Sequence, residues 1–192
     1  MESGTRLFWM LITTLLAASV YFGIGAESRR RQAQQSQGTL TDREVVSLLH
    51  VVDGDSVMVR NRSGQRVSIR LIGVKALAAS AERGMGASFG AAAAAELKHR
   101  LTDVPIEVRL NDPPLDRHRR ILAKLFVGEN DVALNLVARG LLIAYPVHPF
   151  EGRPAYLAAQ ASARAERLGL WRDEEVSKIA GLRFERWEQD AK

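Results

Sequence analysis

The hydrophobic and polar positions alternate with two different periods. Glu44 to Val52 is rich in Val and Leu and predicts a strand, which Asp53-Gly54 ends with turn chemistry. Ser56 to Arg60 sets Val57 and Val59 against polar neighbours, and Asn61 to Gly64 supplies a second turn. Arg66 to Val74 alternates again through Val67, Ile69 and Leu71, completing an antiparallel meander. The alanine-rich stretch Ala91 to Arg100 predicts a helix, because alanine loses the least side-chain freedom in one. Pro105 to Leu110 and Ile121 to Val127 return to strand periodicity, with Asp112-Pro113-Pro114 expected to break the first. Val132 to Arg139 predicts a short helix closed by Gly140. A longer helix starts at Pro154 and runs to Leu168, with Gly169 just past its end.

Three strands, a helix, two strands and then helices predict an α+β fold. The order suits a five-stranded Greek-key barrel of the OB type, with a helix between strands three and four and C-terminal helices packed on it. Leu134, Val137 and Leu141 fall at helical spacing and, with Trp171, are expected in the core. In the tail, Leu182, Phe184 and Trp187 stand among charges, predicting an amphipathic helix that docks on the barrel or on a protein partner.

A different pattern precedes the barrel. Leu7 to Ala26 runs for twenty residues without a charge. A helix of that length spans roughly 30 Å, the hydrocarbon thickness of a bilayer. It is expected to be a retained transmembrane anchor; the alternative is a signal peptide cleaved near Ala26, which would export the protein. Arg29, Arg30 and Arg31 follow and favour a single-pass arrangement with the C-terminal part on the cytoplasmic or matrix side. The expected organisation is a tail at 1–6, an anchor at 7–26, a polar linker at 27–42, the barrel domain at 43–172 and a charged tail at 173–192.

Composition adds two limits. The net charge of +5 over 192 residues favours anionic partners such as nucleic acid, phosphates or lipid headgroups. The absence of cysteine excludes disulfides, thiolate metal sites and thiol catalysis.

Six blocks then occur in order: VVDGDSVMV, VSIRLIGV, GASFGAAAAAELKHRL, DRHRRILAKLFV, NLVARGLLIAYP and LGLW. From about Val51 to Trp171 the chain resembles the staphylococcal nuclease (thermonuclease) family. The resemblance implies calcium-dependent phosphodiester hydrolysis, with carboxylates on the metal, two arginines on the phosphate and a glutamate as general base. Carried over by position, the first metal carboxylate falls on Asp55, the first arginine on Arg70 and the second on Arg120, four residues after Asp116.

The chain departs from the family just after Arg70. Where the family reads Asp-Thr-Pro-Glu or Asp-Ala-Pro-Glu, this chain reads Lys75-Ala76-Leu77-Ala78. The second metal carboxylate is thus replaced by Lys75 and the general base by Ala78. A glycine of the arginine block is replaced by Arg119. An ammonium at ~4 Å repels a unit positive charge by about 4 kcal/mol at an effective dielectric near 20, and a divalent ion by about twice that. No cofactor is therefore expected, and Lys75 either pairs with Asp55 or points to solvent. Arg70 and Arg120 either form structural ion pairs with Asp55 and Asp116 or, with Arg117 and Arg119, hold a phosphate. Arg60, Arg62, Arg66 and Lys124 would add to the attraction for a polyanion if they faced the same way. Among aromatics, the strands offer only Phe126, with Tyr145 and Phe150 beyond them.

The leading expectation is a membrane-anchored domain without metal-dependent nuclease activity that binds phosphate or nucleic acid, or serves as a scaffold. The alternative is an active calcium-dependent nuclease, with Glu82 supplying an oxygen or His118 standing in as base. A third reading is a purely structural subunit.

Overall fold

The computed structural model describes residues 38–77, 85–116 and 120–191. The expected anchor at Leu7 to Ala26 lies outside them, and among the described residues no helix is long and apolar enough to cross a membrane. The elements are β1 (Val45–Asp53), β2 (Ser56–Arg60), β3 (Arg66–Leu71), β4 (Val74–Lys75), α1 (Met85–Leu101), β5 (Ile106–Leu115), β6 (Ile121–Val127), β7 (Asn130–Asp131), α2 (Val132–Ala138), β8 (Ile143–Ala144), α3 (Arg153–Ala165), a 3-10 turn at Gly169–Trp171 and α4 (Glu174–Asp190).

Five strands close a barrel in the order β3-β2-β1-β5-β6, and β6 returns to β3. The closing pair is parallel and sets Ile69 beside Ile121, Arg70 beside Leu122 and Leu71 beside Ala123. All other barrel pairs are antiparallel. Strand alternation fills the interior: Val57, Val59, Val67, Ile69, Ile106, Val108 and Leu125 are fully buried, with Leu97 and Leu101 of α1 and Leu136 of α2 against them. Methyl and methylene burial at roughly 25 cal/mol per Å² makes this core the main source of stability.

Two sequence expectations are corrected. The strand predicted for Arg66 to Val74 ends at Leu71, because Gly73 turns the chain with φ +76°. Val74 and Lys75 then pair with Ala144 and Ile143 in a separate two-stranded ribbon. The prolines at 113 and 114 do not end β5, which runs through a cis Asp112–Pro113 bond to Leu115. They are tolerated because the ladder with β6 skips from Leu110 to Leu115, so the missing N–H groups cost no sheet bond.

The C-terminal elements lock onto the barrel through polar side chains. Asp131 caps α2 by accepting the Leu134 N–H at 3.2 Å, and it also accepts the buried Tyr156 hydroxyl at 2.8 Å. Burial, then the Asp131 charge, pushes the Tyr156 phenol far above its ordinary value, so it stays a donor. Gln160 of α3 accepts the Ala144 N–H at 2.8 Å. The amphipathic tail forms α4 and docks within this chain: Val176, Ala180 and Phe184 are buried, while Leu182 is 58% exposed.

The last residues of the expected linker are bonded to the barrel. The Thr39 carbonyl accepts from Asn61, and Asp42 accepts the Leu110 N–H at 2.9 Å. Glu44 organises this strap by accepting from the Thr41 N–H and hydroxyl and from the Arg62 N–H at 3.0 Å. The Arg62 and Thr41 amides hold its carboxyl below the usual glutamate value. The depressed folded-state pKa stabilises the fold above the unfolded glutamate pKa, and that contribution disappears as pH falls through the folded value. Glu44→Gln is therefore expected to lower the urea midpoint at pH 7 and to differ little from the unsubstituted protein near pH 2. Equal losses at both pH values would show that the charge of Glu44 is not what holds the strap.

Candidate functional site

The site is built where β1 ends and β3 meets β6. Asp53 accepts the Asp55 N–H at 3.1 Å across a tight turn, and Gly54 between them leaves the room that Ala76 and Ala93 occupy. The Asp55 carbonyl accepts the Leu71 N–H at 2.9 Å, which registers the turn against the end of β3. Ser56 pairs with Arg70 across β2 and β3, so Asp55 lies diagonally beside that arginine.

Asp55 and Arg70 form a buried ion pair through Oδ1 and Nη1, with residue exposures of 5% and 7%. The remaining contacts are local. Arg70 donates from Nη1 to the Asp55 carbonyl at 3.2 Å and from Nη2 to the Val74 carbonyl at 3.0 Å. Asp55 accepts the Ser56 hydroxyl at 3.1 Å on Oδ1 and the Ala76 N–H at 2.8 Å on Oδ2. Burial lowers the Arg70 pKa to about 10; Asp53 and Asp116 oppose that shift and Arg120 adds to it. Arg70 therefore remains charged at neutral pH.

Arg120 sits at the mouth of the β5–β6 connection. Its N–H and Nε donate to the two oxygens of Asp116 at 2.9 and 2.8 Å, and Nη2 lies 2.7 Å from Oδ2. The Asp116 N–H donates back to the Arg120 carbonyl at 3.0 Å. The loop is thus pinched at its neck. With 23% of its side chain exposed, Arg120 is the more accessible of the two arginines. Both arginines are ion-paired, Arg70 with Asp55 and Arg120 with Asp116.

Lys75 stands on β4, half-buried, with its ammonium 5.5 Å from the centre of the Tyr145 ring. Tyr145 is fixed by its N–H, which donates to the Gly73 carbonyl at 2.8 Å. A single turn, Gly73–Lys75, therefore carries Lys75, a carbonyl for Arg70 and the backbone anchor of Tyr145. Ala78, Arg117 and Arg119, together with Glu82 and His118, lie outside the described residues.

Among the described residues, Arg60, Arg66 and Lys124 are placed elsewhere. Arg60 and Arg66 face each other across β2 and β3, at the far end of the hairpin from Arg70. Four residues of strand put Arg66 roughly 13 Å from Arg70 along the chain. Lys124 lies 3.7 Å from the Glu151 carboxylate. Phe126 is covered by the Arg109 guanidinium at 3.7 Å, and Phe150 packs edge-on against Tyr156. Of Phe126, Tyr145 and Phe150, Tyr145 is the ring that lies beside Lys75. Trp187, named from sequence only for the tail helix, has its ring centre 5.0 Å from that of Tyr145. The Phe184–Trp187 spacing marked a helix face, but nothing in it pointed to Tyr145.

A calcium ion needs several oxygen ligands with lone pairs to spare. Both Asp55 oxygens already face donors or a guanidinium, and Lys75 stands at the position of the second carboxylate. Among the described residues, no three His, Asp or Glu side chains converge as a metal site. These residues do not fit a calcium ion.

Comparison with known proteins agrees with the barrel. The family model described as staphylococcal nuclease homologue matches residues 68–173. An uncharacterized endonuclease of Haemophilus influenzae is 27% identical over 134 residues, covering 69% of this chain and 68% of its own. The thermonuclease of Staphylococcus intermedius is 28% identical over 123 residues, covering 63% of this chain and 72% of its own. A probable endonuclease of Verticillium alfalfae is 30% identical over 119 residues, 58% of this chain and 41% of its own.

Proposed function

The chain belongs to the staphylococcal nuclease family, and from that premise we propose that it is a phosphate- and nucleic-acid-binding module without metal-dependent hydrolysis. One observation carries the reading. The Asp55 carboxylate is taken up by Arg70, Ser56 and Ala76, and an ammonium stands at the second carboxylate position. Arg120 is the group that meets the ligand. Its guanidinium is partly exposed, and a phosphate can share or replace Asp116 in its fork. Arg70 contributes field and rigidity from beneath. The charge-free run Leu7 to Ala26 supports attachment of the module to a membrane.

A second reading keeps calcium-dependent phosphodiester hydrolysis. The endonuclease and thermonuclease names of the relatives favour it, as does retention of Asp55, Arg70 and Arg120. The deciding experiment incubates the full chain with DNA and RNA, with and without calcium. Intact nucleic acid under both conditions, together with oligonucleotide binding that weakens steeply with salt and is reduced by Arg120→Ala, is the expected result. Cleavage that appears with calcium and vanishes in Arg120→Ala would establish the second reading instead. The double variant Lys75→Asp, Ala78→Glu reports whether restoring those two residues suffices for hydrolysis.

A further inference from the structure

Arg109 and Lys124 stand directly opposite each other where β5 pairs with β6. Side chains opposed in this way across an antiparallel pair have Cβ atoms about 5 Å apart, and two like charges so placed are destabilising. Both cations line one cavity of about 530 Å³, and Arg43 of the strap lines it as well. Arg43 is brought there by its N–H, which donates to the Val108 carbonyl at 2.8 Å, one residue before Arg109. Asp55, Arg70, Lys75 and Arg120 are not among the described residues that line this cavity.

The nearby carboxylates offset the repulsion only in part. Glu107 accepts from Arg109 Nε at 2.7 Å, and a guanidinium held by Nε keeps its two Nη groups for a second acceptor. The Phe126 ring, 3.7 Å away, holds that guanidinium in place. The Lys124 side chain is only 14% exposed, yet the carboxylate facing it, Glu151, stands 3.7 Å off and is 93% exposed. So distant and hydrated a partner contributes little. The Lys124 ammonium also donates to the Glu151 carbonyl at 3.2 Å, one bond for a group with three donors. Asp42 and Asp112 line the cavity too, but both are exposed, and Asp42 already accepts the Leu110 N–H. The remaining wall is apolar, from Ile72, Leu110 and Phe150. Asn111 fixes it by donating to the Pro149 carbonyl at 3.4 Å.

We propose that this cavity is a binding site for a small phosphomonoester, separate from the arginine site, with the phosphate between Arg109, Lys124 and Arg43 and a ring-shaped remainder on Leu110 and Phe150. A phosphate dianion neutralises the two facing cations and supplies the acceptors that Lys124 and the Arg109 fork lack. The volume suits such a molecule, since small-ligand pockets run from about 300 to 1,000 Å³. The inference does not depend on the phosphate-binding reading above, because it uses none of the same side chains.

The test titrates the full chain calorimetrically with phenyl phosphate, in chelator and at fixed ionic strength. Saturable one-to-one binding is expected. Lys124→Gln keeps the stem and removes the charge, and is expected to weaken binding by about 10- to 150-fold, the effect of one lost charge-assisted hydrogen bond. In the ligand-free protein the same substitution relieves the repulsion from Arg109, so the thermal midpoint is not expected to fall. A lower midpoint with phenyl phosphate binding unchanged would mark a purely structural lysine and overturn the site. Arg43→Asn is the second variant: the position is exposed and has φ +60°, which asparagine accepts, so the guanidinium is lost without harm to the fold. It is expected to weaken binding as well. Arg120→Ala separates the two anion sites. Binding that disappears in Arg120→Ala and persists in Lys124→Gln would place the anion at the arginine site and overturn the cavity. No saturable binding of phenyl phosphate, with oligonucleotide binding intact, would overturn the cavity alone.

Discussion

Asp55→Ala is expected to lower the unfolding free energy by about 3–5 kcal/mol, the usual loss when one partner of a buried ion pair is removed. The remaining guanidinium of Arg70 is 7% exposed, so water cannot replace the lost carboxylate. Ser56 and the Ala76 N–H lose their acceptor at the same time. Urea denaturation near pH 7 measures the loss. Asp55→Leu combined with Arg70→Met removes both charges and is expected to recover much of it, since a buried pair replaced by apolar groups of similar size is often close to neutral. An unfolding free energy within about 1 kcal/mol of the starting protein in the single variant would mean that Arg70 finds solvent or another anion. The ion pair would then be a surface feature.

Gly73→Ala is expected to cost about 2–5 kcal/mol, from two separate sources. The backbone there has φ +76°, a conformation that strains any residue with a Cβ. The added methyl would also meet the Phe150 ring. That ring cannot simply retreat, because it packs edge-on to Tyr156 at 5.1 Å. Adding Phe150→Ala relieves the steric part and leaves the backbone part, so the two contributions separate in thermal denaturation. Gly73 and Val74 also hold Tyr145 and Arg70 by their carbonyls, so the single variant is expected to weaken oligonucleotide binding as well. Stability and binding both unchanged would contradict this account of the turn.

Local chemistry was legible in the sequence where one strand or one turn decided it. Val57, Val59, Val67 and Ile69 announce their strands by alternation alone, and Gly140 marks the end of α2 through its left-handed backbone. The break at Gly73 was not legible, because Leu71, Ile72 and Val74 read as one apolar run and the pairing of β4 with β8 joins residues about seventy positions apart. The continuation of β5 past two prolines depends on a gap in its ladder that only the partner strand creates.

The candidate site shows the same division. Asp55, Arg70 and Arg120 could be named from their blocks, and the ion pairs Asp55–Arg70 and Asp116–Arg120 were among the weighed arrangements. The nearness of Lys75 to Tyr145 depends on a ribbon that no local pattern encodes. Trp187 reaches the site only because α4 folds back across the chain, which the amphipathic spacing allowed but did not direct.

The parallel seam between β3 and β6 has a consequence for synthesis. A chain emerging N-terminus first completes the β1–β3 meander long before Ile121 to Ala123 are made. Until then β3 is an open strand edge carrying Val67, Ile69 and Leu71, a surface on which another nascent chain can pair. Distant closure of this kind is slow compared with hairpin formation. The interval before the seam forms is therefore when the protein most needs a chaperone, and conditions that stall translation between Leu71 and Ile121 should favour aggregation.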